Sequence, residues 1–244
     1  MDNYLDEIAV KTKEDFLNGQ LLLIDKPVGW SSFHAVNKLK WAIRKKFELK
    51  KIKIGHAGTL DPLATGLLLI CTGKFTKTIN ELQGQVKEYT GTITLGATTP
   101  SFDLETEIDK TYPIDHITND LVHEATKQFI GEIEQRPPIF SALKKDGRRL
   151  YEYAREGQKV EIKKRPITIT EFEITAIQLP EVFFRVTCSK GTYIRSLAND
   201  FGKALNSGGY LTALRRTKIG DYNVNTAIDP VAFAETLLKK REES

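Results

Sequence analysis

One carboxylate stands alone in the first third of the chain. Asp61 is the only acid between Glu48 and Glu81, and it lies in Gly55-His56-Ala57-Gly58-Thr59-Leu60-Asp61-Pro62-Leu63-Ala64-Thr65-Gly66, directly ahead of the apolar run Leu67-Leu68-Leu69-Ile70-Cys71. Three glycines, an Asp-Pro step and the lack of any helical or strand period predict a rigid loop with exposed backbone. Proline fixes its own φ and pushes Asp61 towards an extended backbone, so the carboxylate has a defined direction. The same residues are also compatible with an Asp-Pro that merely shapes a turn. A second charged residue bears on the choice. In Ser189-Lys190-Gly191-Thr192-Tyr193-Ile194-Arg195 a strand ends at glycine, and Thr192 is placed to cap a helix whose first turn carries Arg195. A cation at the positive end of a helix dipole needs an anionic partner, and Asp61 is the candidate.

Two further features surround this pair. Lys87-Glu88-Tyr89-Thr90-Gly91-Thr92-Ile93-Thr94-Leu95-Gly96 alternates as a half-buried strand does, with Tyr89 on the face of Ile93 and Leu95. Tyr89 is therefore either a packed core tyrosine or an aromatic platform at the floor of a cleft. Between residues 38 and 53, Lys38, Lys40, Arg44, Lys45, Lys46, Lys50, Lys51 and Lys53 face Glu48 alone, a surplus of seven. The rest of the chain holds 28 cations against 31 acids, so the whole positive excess of a +4 protein sits just before the Asp61 loop. A phosphate backbone selects such a concentration, although a solvated basic helix has the same composition.

The elements that must position these groups follow from period and punctuation. Residues 1–19 are weakly periodic and fit an amphipathic lead-in helix. Leu21-Leu22-Leu23-Ile24 reads as a buried strand closed by Asp25-Lys26-Pro27-Val28-Gly29-Trp30. Ser31 and Ser32 offer caps to a helix with Phe33, Val36, Leu39, Ile43 and Phe47 as its apolar stripe. A short helix is predicted over 76–82, and another over 121–130 with Leu121, Ala125, Phe129 and Ile130 inward. Residues 136–149 break regular structure and join cations to aromatics, as an RNA-facing loop or a proline-stiffened connector would. Strands are predicted over 167–174 and 183–188, a basic strand or turn at Leu214-Arg215-Arg216, and a closing helix over 229–240.

Composition bounds the rest. At 244 residues, 40% hydrophobic and 28% charged, the chain can bury a full core as a soluble globular protein. No apolar run approaches the roughly 20 residues of a membrane span, and the N-terminus lacks the order of a signal peptide, so a cytoplasmic protein is expected. Cys71 and Cys188 are too few for a disulfide framework and read as core. His34, His56, His116 and His123 share no metal-ligand spacing with them, and no glycine-rich nucleotide motif occurs, so neither metal nor nucleotide cofactor is expected.

Seven blocks resemble the TruB family of tRNA pseudouridine synthases over about residues 21–222: Leu22-Leu23-Ile24-Asp25-Lys26-Pro27, the Gly55-to-Gly66 loop, Lys87-Glu88-Tyr89, Ser141-Ala142-Leu143-Lys144, Leu150-to-Gly157, Ser189-to-Arg195 and Leu214-Arg215-Arg216. The resemblance implies a mixed α/β (α+β) pseudouridine synthase fold, a largely antiparallel central sheet flanked by helices with a central active-site cleft. Residues 1–20 would be a lead-in, 21–222 the catalytic domain and 223–244 a C-terminal helix. Only 24 residues follow Gly220, too few for the C-terminal PUA-type RNA-binding domain that many members carry, so weaker or differently placed tRNA contacts are expected.

The implied activity is isomerisation of uridine 55 in the T-loop of tRNA, by base flipping and without cofactor. Asp61 would be the nucleophile, attacking either the ribose C1′ or the uracil ring, with Arg195 orienting its carboxylate. Tyr89 would stack on the extruded base and serve in proton transfer. His56 would hold the extruded loop, Leu214 would line the base pocket, and Lys26 and Lys190 would bind substrate. The implied partner is the tRNA T-arm, with no membrane and no obligatory protein partner, for a monomer. A synthase acting on another or a guide-selected RNA, or a non-catalytic RNA-binding or RNA-folding module, are the alternatives.

Overall fold

The computed structural model describes residues 2–158 and 160–239. They form two compact units, one built from the described residues up to 87 and from 215 onward, the other from those between 88 and 214. The architecture is mixed α/β, as expected.

The first unit contains helices α1 (Asp2–Val10), α2 (Lys13–Asn18), α3 (Ser32–Lys46), α4 (Ile79–Gly84) and α8 (Pro230–Leu238) with strands β1 (Leu21–Lys26), β2 (Ile54–His56), β3 (Thr65–Thr72), β13 (Tyr222–Asn223) and the last five residues of β12 (Gly209–Ile219). β3 is its spine. β1 and β2 pair with it antiparallel, and β12 runs parallel to it through Arg215 opposite Thr65 and Arg216 opposite Gly66. Leu68 and Ile70 enter one core with Leu22, Ile24 and residues of α1, α2, α3 and α8, while Leu67, Leu69 and Cys71 enter another with Ile219, Val224 and Ala227. A strand covered on both faces has no polar side to display, which is why it reads as an unbroken apolar run.

The terminal stretches contribute to that core. Residues 2–18 form two short helices rather than one, because Thr12 starts α2 with a capping box to Asp15, and Ile8 and Phe16 are both buried. In α3 the cap is Ser31, whose hydroxyl accepts the His34 N–H at 3.1 Å. Its buried face is Ala35, Val36, Leu39, Ala42 and Ile43. Phe33 departs from the expected stripe: two residues before buried Ala35 it is rotated about 200° around the axis, and it points to solvent.

The second unit holds β4 (Lys87–Leu95), β7 (Gly131–Gln135), β10 (Arg165–Gln178), β11 (Glu181–Cys188) and the first part of β12, in the order β12, β4, β11, β10, β7. The β10–β11 and β10–β7 pairs are antiparallel. β4 and β12 meet through the Thr94 and Thr212 hydroxyls, 3.0 Å apart, and at Gly91, where a Cβ would come within 2.5 Å of the Ala213 carbonyl oxygen. Helices α5 (Asn119–Thr126) and α7 (Ile194–Ala204) accompany the sheet, and Phe129, Phe172, Phe184 and Phe201 lock into a cluster with ring centroids 5.4–6.2 Å apart. Short pairs β5 (Ala97–Thr98) with β6 (Lys110–Thr111), and β8 (Lys144–Lys145) with β9 (Arg148–Arg149), sit outside it, the latter leading into α6 (Leu150–Arg155).

Two expectations fail here. Residues 144–149 are a hairpin rather than irregular chain, because Asp146-Gly147 supplies two positive φ angles, 51° and 82°, for a tight turn. The buried positions are Val122 and Ala125 of α5, which ends at Thr126, and Phe129 of the 3-10 turn that follows, with Leu121 and Ile130 exposed. Among the described residues no helix is long and apolar enough to cross a membrane. Phe172 touches three other rings of the aromatic cluster, so Phe172→Ala should lower the unfolding free energy by about 3–5 kcal/mol in urea titrations.

Candidate active site

The Asp61 loop is held from below. Its ends belong to strands, Gly55-His56 to β2 and Thr65-Gly66 to β3. Between them the backbone is largely spoken for, not exposed as its composition suggests. The Arg216 guanidinium, only 1% exposed, donates from Nη2 to the Gly58 carbonyl at 3.1 Å, from Nη1 to Thr59 at 3.4 Å and from Nε to Leu67 at 2.7 Å. The buried Ser32 hydroxyl at the start of α3 accepts the Leu60 N–H at 2.8 Å and donates to the Leu60 carbonyl at 3.0 Å. The Pro62 carbonyl accepts the Gly29 N–H at 2.8 Å. Asp61 thus sits between two clamped residues, half-buried, with Pro62 and Leu63 exposed beside it.

Lys26 closes the arrangement. Completely buried at the end of β1, its ammonium donates to the carbonyls of Trp30 at 2.7 Å, Pro27 at 2.9 Å and Pro62 at 3.4 Å. Burial drives its pKa down to about 8, against the opposing pull of the Asp61 carboxylate, with Arg216 pushing the same way as burial. Three donors spent on three carbonyls make Lys26 a brace between the turn after β1 and the Asp61-Pro62 step, and a positioning residue for Asp61. Gly66 belongs to the same design: at φ +106° it lies against Arg216, and a Cβ there would come within 2.3 Å of the Arg216 carbonyl oxygen.

His56 precedes the loop at the end of β2, and burial, ahead of its contact with the Gly58 backbone and the charge of Arg216, sets its pKa below the ordinary histidine value. At neutral pH the ring is therefore uncharged. Arg215, next to Arg216 but on the opposite side of the strand, pairs with Asp25 at 2.7 and 3.0 Å and reaches the Thr65 hydroxyl at 3.4 Å.

The remaining expected residues lie in the second unit. Tyr89 is in β4, 9% exposed, and Ile93 and Leu95 are buried with it. Arg195 is in the first turn of α7 and 5% exposed, its Nε 3.6 Å from a carboxylate oxygen of Asp103 and its Nη1 donating to the Ser101 carbonyl at 3.3 Å. Asp103 is thus an anionic neighbour of Arg195 that the sequence did not indicate. Thr192 does not cap α7. Its hydroxyl donates to the Ser189 carbonyl, and Tyr193 holds the cap position with its N–H and C=O both bonded to the Gln135 amide, at 2.8 and 3.1 Å. Leu214 is half-buried in β12, and Lys190 is exposed in the turn before α7. Arg216 and Ser32, read from the sequence only as part of a basic strand and as a cap, are the loop's principal anchors.

Removing Arg216 leaves three carbonyls without their buried donor. Arg216→Met should raise amide exchange at Gly58–Leu60 by at least about tenfold and destabilise the protein by about 3–5 kcal/mol. Lys26 supplies a pH test. Its folded pKa of about 8 lies below the reference value of 10.5, so between those values the unfolded chain keeps a proton that the folded chain has released. Its contribution to stability therefore increases as pH rises from about 8 to about 10.5. That slope should be present in wild type and missing from Lys26→Met, and Nζ resonances should titrate near 8.

A family model described as TruB family pseudouridylate synthase (N terminal domain) matches residues 44–194. The chain is 70% identical to tRNA pseudouridine synthase B of Flavobacterium johnsoniae across 93% of its length and 99% of the relative's. To the protein of that name from Phocaeicola vulgatus it is 56% identical across 91% of its length and 95% of the relative's. Among solved structures, it resembles a chain of a Cbf5-Nop10-Gar1 complex with TM-score 0.64 and 30% identity, over 88% of this chain and 53% of that one. The chain belongs to the TruB family of pseudouridylate synthases, and is accordingly an isomerase.

Proposed function

We propose that this protein converts uridine 55 in the T-loop of tRNA to pseudouridine, with Asp61 as nucleophile. The carrying observation is the clamping of the chain on both sides of Asp61 by Arg216, Ser32 and Lys26, which fixes a carboxylate at a half-buried position before any substrate arrives. Catalysis draws most from groups aligned in advance of the reaction. Relatives 70% and 56% identical named tRNA pseudouridine synthase B favour tRNA over a guide-selected RNA.

The reaction breaks the bond from ribose C1′ to uracil N1, forms one from C1′ to C5, and moves the C5 proton to N1, so nothing is supplied from outside. Asp61 attacks either C1′ or the uracil ring and is released when the base has turned. Arg195 orients the carboxylate. Tyr89 stacks on the extruded uracil, worth roughly 1–3 kcal/mol against the few kcal/mol that extrusion costs, and serves the closing proton transfer. Neutral His56 supports the extruded loop without adding charge, Leu214 lines the base pocket, exposed Lys190 meets phosphate, and Lys26 acts through the Asp61-Pro62 backbone. The enzyme works as a cytoplasmic monomer on the T-arm without a protein partner.

Asp61→Asn keeps the shape of the side chain and removes its nucleophilicity. Purified variant and wild type incubated with a T-arm transcript should differ completely, with pseudouridine formed by wild type alone; product from the variant would remove Asp61 from its role.

A further inference from the structure

The exposed face of α3 has a pattern that packing does not explain. Phe33 is 70% exposed and Trp41 48%, with exposed Asn37 between them, at the i, i+4, i+8 spacing that lines one side of a helix. Eight residues at 1.5 Å per residue place the two aromatics about 12 Å apart along the axis. The track begins at the loop, because Ser32, the neighbour of Phe33, is the residue that clamps Leu60. It ends in a cleft of about 550 Å³ lined by Asn37, Lys40, Trp41, Arg44, Lys45 and Glu48. The ammonium groups of Lys38 and Lys45 lie over the Trp41 ring, 5.2 and 5.0 Å from its centre, on flexible stems that can give way to a base and turn to its phosphates. Arg44 Nε donates to the carbonyl of Leu49, which also lines the cleft, and Lys46 is turned away to the Lys239 carbonyl.

We propose that this face binds an unpaired segment of RNA, with Trp41 as the platform on which a base stacks and Lys38, Lys40 and Lys45 as the contacts to neighbouring phosphates. Aromatic faces set among cations are the means by which proteins hold single-stranded nucleic acid without reading its sequence. The two aromatics are separated by a polar residue and bordered by lysines, so they do not form the continuous apolar patch that a protein partner would cover. The surplus of seven charges over residues 38–53 has the sign that RNA requires. The inference rests on the RNA substrate proposed above and adds a place where RNA beyond the target uridine is gripped, about 14 Å along α3 from the loop clamp at Ser32.

The test measures binding of fluorescently labelled full-length tRNA transcript by anisotropy at several salt concentrations. Trp41→Leu keeps an apolar side chain and removes the stacking surface; it should weaken binding about five- to a hundredfold with an unaltered salt slope. Trp41→Phe should restore most of the affinity. Lys38→Gln with Lys45→Gln should reduce the slope of log K against log salt by about 0.7 for each phosphate that is no longer neutralised. Affinity of Trp41→Leu within twofold of wild type, or failure of Trp41→Phe to rescue it, overturns the proposal; thermal melts of each variant report folding separately. Pseudouridine formation by wild type is assayed alongside. If wild type binds tRNA but makes no product, the proposed action on T-loop uridine 55 falls while the binding track is still judged by the variants.

Discussion

A single buried guanidinium organises the loop that carries Asp61. Arg216 is withdrawn from solvent, yet its hydrogen bonds go to backbone carbonyls of Gly58, Thr59 and Leu67. A buried cation is costly unless its donors are met, and the chain meets them by bending the loop over it. The loop and the arginine therefore specify each other. The parallel pairing of β12 with β3 puts Arg216 opposite Gly66, and the absence of a side chain at Gly66 lets the two backbones approach. Lys26 repeats the arrangement from the other side with an ammonium and three carbonyls.

Three cations of the first unit are thus engaged within the protein. Arg215 is tied to Asp25, Arg216 to the loop, and Lys26 to two turns. The lysines and exposed aromatics of α3 remain at the surface. On the proposal above, architecture and recognition fall to different cations: buried ones shape the loop, and those of α3 meet phosphate.

Much of the fold was legible because its signals are local. β3 announced itself as a run with no polar position, α3 by Ser31 and a 3.6-residue period, and β4 by alternation. The loop around Asp61 was legible from glycine and proline alone, and its family from seven ordered blocks. What could not be read was which charges would be buried. Arginine and lysine look alike in sequence whether they face water or a cage of carbonyls, and the acceptors for Arg216 lie about 150 residues earlier in the chain. Asp103 beside Arg195 was equally hidden, because nothing near it in sequence marks it as a partner. Phe33 misled for the opposite reason: its hydrophobicity suggested burial, whereas Ala35 and Ala42 make the inward face.

Burying Lys26 and Arg216 also divides the protein's electric field into two parts with different sensitivity to dissolved ions. The lysines of α3 stand in water, where at physiological ionic strength mobile ions damp their field over about 8 Å. Lys26 and Arg216 are 0% and 1% exposed, so their charges are screened far less by mobile ions than those at the surface. Attraction of a polyanion to α3 therefore weakens as salt rises, while the carbonyl bonds by which Lys26 and Arg216 shape the loop respond to it far less.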